Sequence, residues 1–312
     1  MCRYPGSRAP VKALITGASG FVGPHLAAHL EASGDEVVCT DRASGADVCD
    51  EAQIADVFAT HRPEVVFHLA GDSDVGGSWH HPRSTFLANA VGTLNVMEAA
   101  RAAGVRRVVA IGSADVYGKV AVDELPLTEH SALRPASPYA ASKIAADAVT
   151  QQAWLGHGLE TIRVRAFNHL GPGQSDRFVA PAIATRIARN ELDAATSVPV
   201  GNLEARRDIT DVRDVVRAYR LLAVSGEPGE VYNVCSGTTV AIAELAEQLV
   251  AMARHPMELV VDESLLRPVD IPVLCGDNTK LCERTGWEPE LSLTTTLSDL
   301  MDDCRARLAA SV

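Results

Sequence analysis

Val11-Lys-Ala-Leu-Ile-Thr16, followed directly by Gly17-Ala-Ser-Gly-Phe-Val-Gly23, decides the fold. The first stretch is a short apolar run. The second sets three glycines ahead of the helical spacing Phe21, Val22, Leu26 and Leu30, so the order reads strand, glycine turn, helix. Glycines let the backbone turn tightly and come close to a pyrophosphate, whose charge then sits at a helix N-terminus. The spacing Gly-x-x-Gly-x-x-Gly differs by one residue from the most familiar dinucleotide fingerprint, and taken alone it also fits a tight, closely packed turn. A second strand, Glu36-Val-Val-Cys-Thr-Asp41, ends in a carboxylate eighteen residues after Gly23, where a nucleotide-binding unit needs an acceptor for the adenosine ribose hydroxyls. Asp41 therefore favours NAD(H). Arg42 keeps NADP(H) open, because a guanidinium there can accept a 2′-phosphate; a solvated loop charge is the alternative.

Working outward, strands near 11–16, 36–41, 64–69, 105–112 and 159–167 alternate with helices near 22–33, 51–61, 83–103 and 139–156. That alternation predicts an α/β fold, a doubly wound parallel sheet (Rossmann). Past Gly171 shorter elements follow, with one return to a buried strand at Val231-Tyr-Asn-Val-Cys235. The expected organisation is a Rossmann domain over 11–170, rejoined by 205–237, with a smaller interleaved C-terminal substrate-binding domain from 171–204 and 238–312.

Tyr139-Ala-Ala-Ser-Lys143 puts a phenol and an ammonium on one face of the helix that starts there. A fixed cation beside a phenol lowers its pKa toward the working range, which makes a general acid/base for a carbonyl or hydroxyl oxygen. The same pair also occurs on solvated helices.

A formal charge of −12 argues against nucleic acid or an anionic membrane as partner. Seven cysteines without a Cys-x-x-Cys pair fit reduced thiols, and ten histidines show no metal spacing, so no metal is expected. No stretch reaches the ~18 apolar residues of a membrane span, and residues 1–10 read as a short frayed leader without a signal-peptide core. The expected setting is cytoplasmic.

With these motifs placed, the chain resembles the extended short-chain dehydrogenase/reductase family, the NAD-dependent sugar-nucleotide epimerases, dehydratases and reductases. The likeness runs through Thr16 to Gly23, Phe67-His-Leu-Ala70, Asn89-Ala-Val-Gly-Thr-Leu-Asn95, Ser113-Ala-Asp-Val-Tyr-Gly118, Tyr139 to Lys143, Asn168-His-Leu-Gly-Pro172 and Arg207-Asp-Ile-Thr-Asp211. Within it, Arg165 to Gln174, Gly201 to Asp208, Gly229 to Gly237 and Thr285 to Glu290 resemble the branch that reduces GDP-4-keto-6-deoxy-D-mannose to GDP-D-rhamnose. The resemblance implies NAD(P)H-dependent reduction of the C4 keto group of a nucleotide-linked 4-keto-6-deoxyhexose. An NAD-retaining 4-epimerase or 4,6-dehydratase, or a non-catalytic dinucleotide-binding protein, stays open beside it.

The resemblance also assigns residues. Ser113, Tyr139 and Lys143 are the expected catalytic set, Ser113 also touching substrate. Its alternative is a strand-end turn serine. Asp115 stands where dehydratases carry a Glu, and Ala114 precedes it in place of a second carboxylate. A shorter single carboxylate reaches a C5 proton less easily, which favours reduction; Asp115 capping the next turn is the other reading. Cofactor contacts are expected from Gly17, Ser19, Gly20, Phe21, Val22, Gly23, Asp41, Arg42, Asp47, Val48, Leu69, Ala70 and Asn89, together with Tyr139 and Lys143. Asp47 with Val48 resembles an adenine-contacting pair, and Asn89 is expected to orient backbone near the catalytic serine. Asn168, Arg207, Arg267 and Asp270 are the expected substrate residues, the arginines clamping a GDP-linked diphosphate. Asn168 is alternatively a turn residue. Trp79 caps the sugar pocket or belongs to the core. Alanine-rich helices around 89–103 and 139–156 imply a homodimer through a four-helix bundle, although close packing within a monomer needs the same residues.

Overall fold

Successive residues of the first strand are buried on opposite faces, Ala13 and Ile15 in one apolar cluster and Leu14 in another. Such a strand needs helices on both sides. The computed structural model, which describes residues 10–265 and 271–310, supplies them. The first half of the chain runs β1 (Lys12–Thr16), α1 (Val22–Ala32), β2 (Glu36–Thr40), α2 (Glu51–His61), β3 (Val65–His68), α3 (Pro82–Phe86), α4 (Gly92–Ala102), β4 (Arg107–Ser113), α5 (Pro138–His157) and β5 (Glu160–Ala166). The second half runs β6 (Asn168–Leu170), α6 (Val179–Asp193), β7 (Ser197–Val200), β8 (Arg206–Asp211), α7 (Val212–Ser225), β9 (Val231–Val234), β10 (Thr239–Ala241), α8 (Ile242–Ala251), β11 (Glu258–Val261), β12 (Val273–Leu274), α9 (Thr279–Thr285) and α10 (Leu293–Ala310).

Among the described residues, one parallel sheet has the order β2-β1-β3-β4-β5-β9. Leu26 and Leu30 of α1 and Val215, Tyr219 and Leu222 of α7 cover one face. Ile54 and Phe58 of α2, Val96 and Met97 of α4 and Ala153 of α5 cover the other. The strand order reverses between β2-β1 and β3, so the crevice for a ligand opens at the carboxyl ends of β1 and β3.

The second layer holds a sheet in which β8 pairs with β10, β12 and β6, and a separate β7–β11 pair. Its core joins Ile183 and Ile187 of α6, Leu245 and Leu249 of α8, and Leu297 and Leu300 of α10. The exchange of chain between layers differs from the expected boundaries. Asn168, His169 and Leu170 pair with Ile209, Thr210 and Asp211, which draws β6 and β8 into the second sheet. Conversely, Leu281 and Trp287 pack beneath the nucleotide-binding sheet against the α7 cluster, the Trp287 indole donating to the Asp214 carbonyl at 2.9 Å.

The helix expected over 83–103 is continuous but carries a π-turn at Leu87–Val91. The extra residue in that turn brings Asn89 inward, to 1% exposure.

Candidate active site

Gly17 has a φ of +72°, and a Cβ on it would stand 2.7 Å from the Ala70 backbone, so β1 can turn only if this position is glycine. A Cβ on Gly23 would come within 2.1 Å of the Ala18 carbonyl, and this is where α1 meets the turn. Three helix N-termini are capped by side chains: Asp50 on α2, Ser137 on α5 and Asp211 on α7 each accept a backbone N–H. The α1 start, at Phe21, has no side-chain cap and no acid in its first turn. Orphan N–H groups behind a glycine cradle suit a dinucleotide pyrophosphate.

At the end of β2, Asp41 accepts from the Ser44 amide at 2.9 Å and hydrogen-bonds Ser19 of the glycine turn. Those bonds, the Ser44 amide first, hold its carboxyl below the ordinary value. Arg42 is exposed beside it. Asp47 accepts from the Cys49 amide at 3.0 Å, and Val48 is buried where a Gly92 Cβ would meet it at 2.8 Å. Leu69 and Ala70 are half-buried over the turn. The Phe21 ring stacks on His169 at 5.8 Å, which ties the glycine turn to β6.

Ser137 caps α5, and Pro138 occupies its first turn, so Tyr139 and Lys143 project from the helix start toward the end of β4. Tyr139 is 7% exposed, with Ser113 as a hydrogen-bonding neighbour of its hydroxyl. Lys143 donates from Nζ to the Ile111 carbonyl at 3.2 Å and lies 5.9 Å from the Tyr139 ring centre. Burial pushes the phenol's pKa upward, with the charges of Asp115 and Asp72 adding to the rise and Ser113 opposing it. The expectation of a lowered phenol pKa is therefore corrected: desolvation and two nearby carboxylates dominate. Burial also pulls Lys143 down to about 8, against the pull of Asp72.

Ser113, not Asp115, caps the turn after β4, its Oγ accepting from the Asp115 amide at 3.2 Å. Asp115 is half-buried. Asn89 holds different backbone from that expected: its Oδ1 accepts from the Asp72 amide at 2.8 Å, and its Nδ2 donates to the Asp72 carbonyl at 3.0 Å and to Ser142 Oγ at 2.9 Å. With its amide donors so used, Asn89 bears on the expected cofactor pocket through the Asp72 loop and α5.

On the side of the second layer, Asn168 is exposed at the start of β6, and Arg207 is half-buried on neighbouring β8, donating to the Arg206 carbonyl at 2.9 Å. Arg267 and Asp270 lie outside the described residues. Trp79 is 50% exposed, which removes the core alternative. Sequence reading missed Asp72 and also Ser78, whose buried Oγ accepts from the Tyr139 amide at 3.3 Å. It missed His68 as well, held neutral by burial and by Lys143 with its pKa pulled to about 3, between Thr16 and Thr93. The polar run Gly71-Asp-Ser-Asp74, immediately past the carboxyl end of β3, was the available signal.

Below Lys143, Asp147 anchors α5 to β5 through Arg163 at 2.7 Å and Arg165 at 3.2 Å. Arg165 also donates to the Tyr117 hydroxyl at 3.1 Å.

A family model described as GDP-mannose 4,6 dehydratase matches residues 43–300. The chain belongs to this family. Within the wider extended short-chain dehydrogenase/reductase group, the chain is 37% identical to a GDP-6-deoxy-D-mannose reductase of Pseudomonas aeruginosa, over 94% of the chain and 97% of that protein. It is 30% identical to a UDP-glucose 4-epimerase of Mycolicibacterium smegmatis, over 94% and 98%. Among solved structures it is similar to that of RMD from Pseudomonas aeruginosa complexed with NADPH, with a TM-score of 0.88, 36% identity and coverage of 95% of this chain and 99% of that one. The family's parallel-sheet architecture is thus also this chain's, and among the described residues no helix is long and apolar enough to cross a membrane.

Proposed function

We propose that this protein reduces the C4 keto group of a nucleotide-linked 4-keto-6-deoxyhexose, GDP-4-keto-6-deoxy-D-mannose giving GDP-D-rhamnose, with NADH or NADPH. The observation that carries this reading is the convergence of Ser113, the Tyr139 phenol and Lys143 at the carboxyl end of β4, with Ala114 rather than a second carboxylate preceding Asp115. Reduction consumes a proton at the carbonyl oxygen, so the resting acid form is the one required. The 37% identity to a reductase of a GDP-6-deoxy-sugar supports it.

In this reading Gly17, Ser19, Gly20, Phe21, Val22 and Gly23 hold the dinucleotide pyrophosphate. Asp41 and Arg42 take the adenosine ribose, and Asp47 and Val48 flank the adenine. The nicotinamide, when bound, supplies the hydride. Tyr139 donates its proton to the developing alkoxide, Ser113 hydrogen-bonds the same oxygen, and the Lys143 ammonium stabilises the phenolate left behind. Asn168 and Arg207, with Arg267 and Asp270, serve the sugar nucleotide, and Trp79 lies over the hexose.

We further infer a cytoplasmic homodimer joined by α4 and α5. Leu87 of the π-turn, Leu94 of α4 and Leu155 of α5 stay exposed among the alanines, apolar side chains suited to a second copy in a four-helix bundle. The test of function is to generate GDP-4-keto-6-deoxymannose in place, follow loss of reduced-nicotinamide absorbance, and identify the product by NMR. Stoichiometric oxidation with a GDP-6-deoxyhexose product is expected; absence of cofactor consumption refutes the reduction and favours an NAD-recycling epimerase or dehydratase.

A further inference from the structure

The loop after β3 carries a carboxylate that the scheme above does not use. Asp72 is half-buried, and each of its polar groups is fixed. The Asn89 side chain brackets its amide and carbonyl, at 2.8 and 3.0 Å. Its Oδ1 accepts from the Asp74 amide at 3.0 Å, and its Oδ2 accepts from Thr85 Oγ1 at 2.5 Å. Asn89 and Thr85 are themselves buried. The same Asn89 amide donates to Ser142 Oγ, which donates to the Tyr139 carbonyl at 2.7 Å, so the loop and the first turns of α5 are one hydrogen-bonded unit. The neighbouring Gly71 lies against Lys143: a Cβ there would stand 3.6 Å from Nζ and 2.5 Å from Asn89 Oδ1. Bare backbone at 71 is what lets the Asn89 side chain reach in to bracket the loop.

We propose that Asp72 is a positioning residue whose carboxylate, fixed by the Asp74 amide and Thr85 on backbone that Asn89 brackets, places a held negative charge beside the Lys143 ammonium and the Tyr139 phenol. The proposal rests on the reductase reading for its catalytic consequence. A solvated loop carboxylate would not be held by a buried threonine hydroxyl and a backbone amide on a loop that a buried asparagine brackets, and this one lies at the carboxyl end of β3, where the fold opens its crevice.

Several groups face the pair. Lys143 meets the Ile111 carbonyl from β4 and the neutral His68 from β3, and Asp72 is the negative charge that opposes its desolvation. Tyr139 hydrogen-bonds Ser113 at the end of β4 and feels the charges of Asp115 from the same strand end and Asp72 from the loop after β3, and it in turn disfavours ionisation of the buried Tyr219 phenol of α7. Removing the Asp72 charge has one sign for both members of the pair. The ammonium loses a favourable partner and the phenolate loses a repulsive one, so both protons leave at lower pH.

The experiment compares wild type, Asp72→Asn and Asp72→Glu by two readouts. One is the alkaline limb of kcat/KM for ketone reduction. The other is the pH dependence of acetic anhydride labelling at Lys143 in the cofactor-free protein, read by mass spectrometry. For Asp72→Asn both midpoints should fall by about one pH unit, and Asp72→Glu should return most of the shift. A uniform loss of activity with unmoved midpoints would make Asp72 a structural residue and overturn the proposal. If wild type reduces no ketone, the reaction reading fails, and the labelling midpoint alone decides Asp72. Should Asp72→Asn fail to fold, Asp72→Ser removes the same charge while keeping a partner for the Asp74 amide.

Discussion

Replacing Tyr139 by Phe separates chemistry from architecture, because the side chain is 7% exposed and the change deletes one oxygen without opening a cavity. The lost hydroxyl has Ser113 as its hydrogen-bonding neighbour, and a neutral hydrogen bond is worth about 1 kcal/mol net, partly offset by the phenol's relieved desolvation. With about 2.1 cal/mol/K of unfolding entropy per residue over 312 residues, 1 kcal/mol corresponds to a Tm shift of less than about 2 °C. Proton transfer by a positioned acid contributes about 10²- to 10⁴-fold, or roughly 3–5 kcal/mol of barrier. Tyr139→Phe should therefore melt within about 2 °C of wild type, bind reduced cofactor with nearly unchanged affinity by fluorescence titration, and lose at least about a hundredfold in kcat. Ser113→Ala should lose less, and the double variant should lose little more than Tyr139→Phe alone, because the two groups act on one oxygen. Turnover within about tenfold of wild type in a well-folded Tyr139→Phe protein would refute the acid assignment.

Three further changes test the frame around that site. Gly23→Val should cost more than about 2 kcal/mol and abolish dinucleotide binding, since its Cβ would press to 2.1 Å from the Ala18 carbonyl at the α1 start; calorimetry with and without cofactor reads both effects. Asp147→Ala leaves Arg163 and Arg165, 11% and 6% exposed, without their carboxylate, and should lower Tm by about 5–8 °C, from the ~3–5 kcal/mol typical of a broken buried pair. Leu94→Glu places a charge on the exposed face of α4 and should convert a dimer to monomer by light scattering while leaving the monomer's stability within about 0.5 kcal/mol.

The fold was legible because its signals are local. A strand buried on both faces reads as Ala13-Leu-Ile15, a glycine turn reads from Gly17 and Gly23, and helices such as α2 and α5 announce themselves by period and cap. The exchange of chain between layers was not legible, because β6 and β8 are short and are fixed by pairing with each other across 41 residues. The same division runs through the site. Tyr139 and Lys143 are four residues apart and could be paired on paper, whereas Asp72, Asn89 and Ser142 meet only after β3, the π-turn and α5 have packed. The π-turn has no mark in the sequence, since a helical pattern tolerates one wide turn without losing its apolar stripe.

That late-assembled shell changes what the early-read residues can do. Spacing alone makes Lys143 the cation that strips Tyr139 of its proton. In the folded chain the phenol is buried with Asp115 and Asp72 nearby, and both the burial and those charges disfavour the phenolate. An enzyme that begins by oxidising a hydroxyl needs a base at this oxygen, whereas one that begins by reducing a ketone needs an acid. The same triad serves either chemistry, and the surrounding carboxylates bias it toward the second. Neutralising them one at a time should therefore ease proton loss from Tyr139, Asp115→Asn acting from the β4 side and Asp72→Asn from the β3 side. If neither substitution lowers the alkaline midpoint of reduction, the acid bias comes from burial alone.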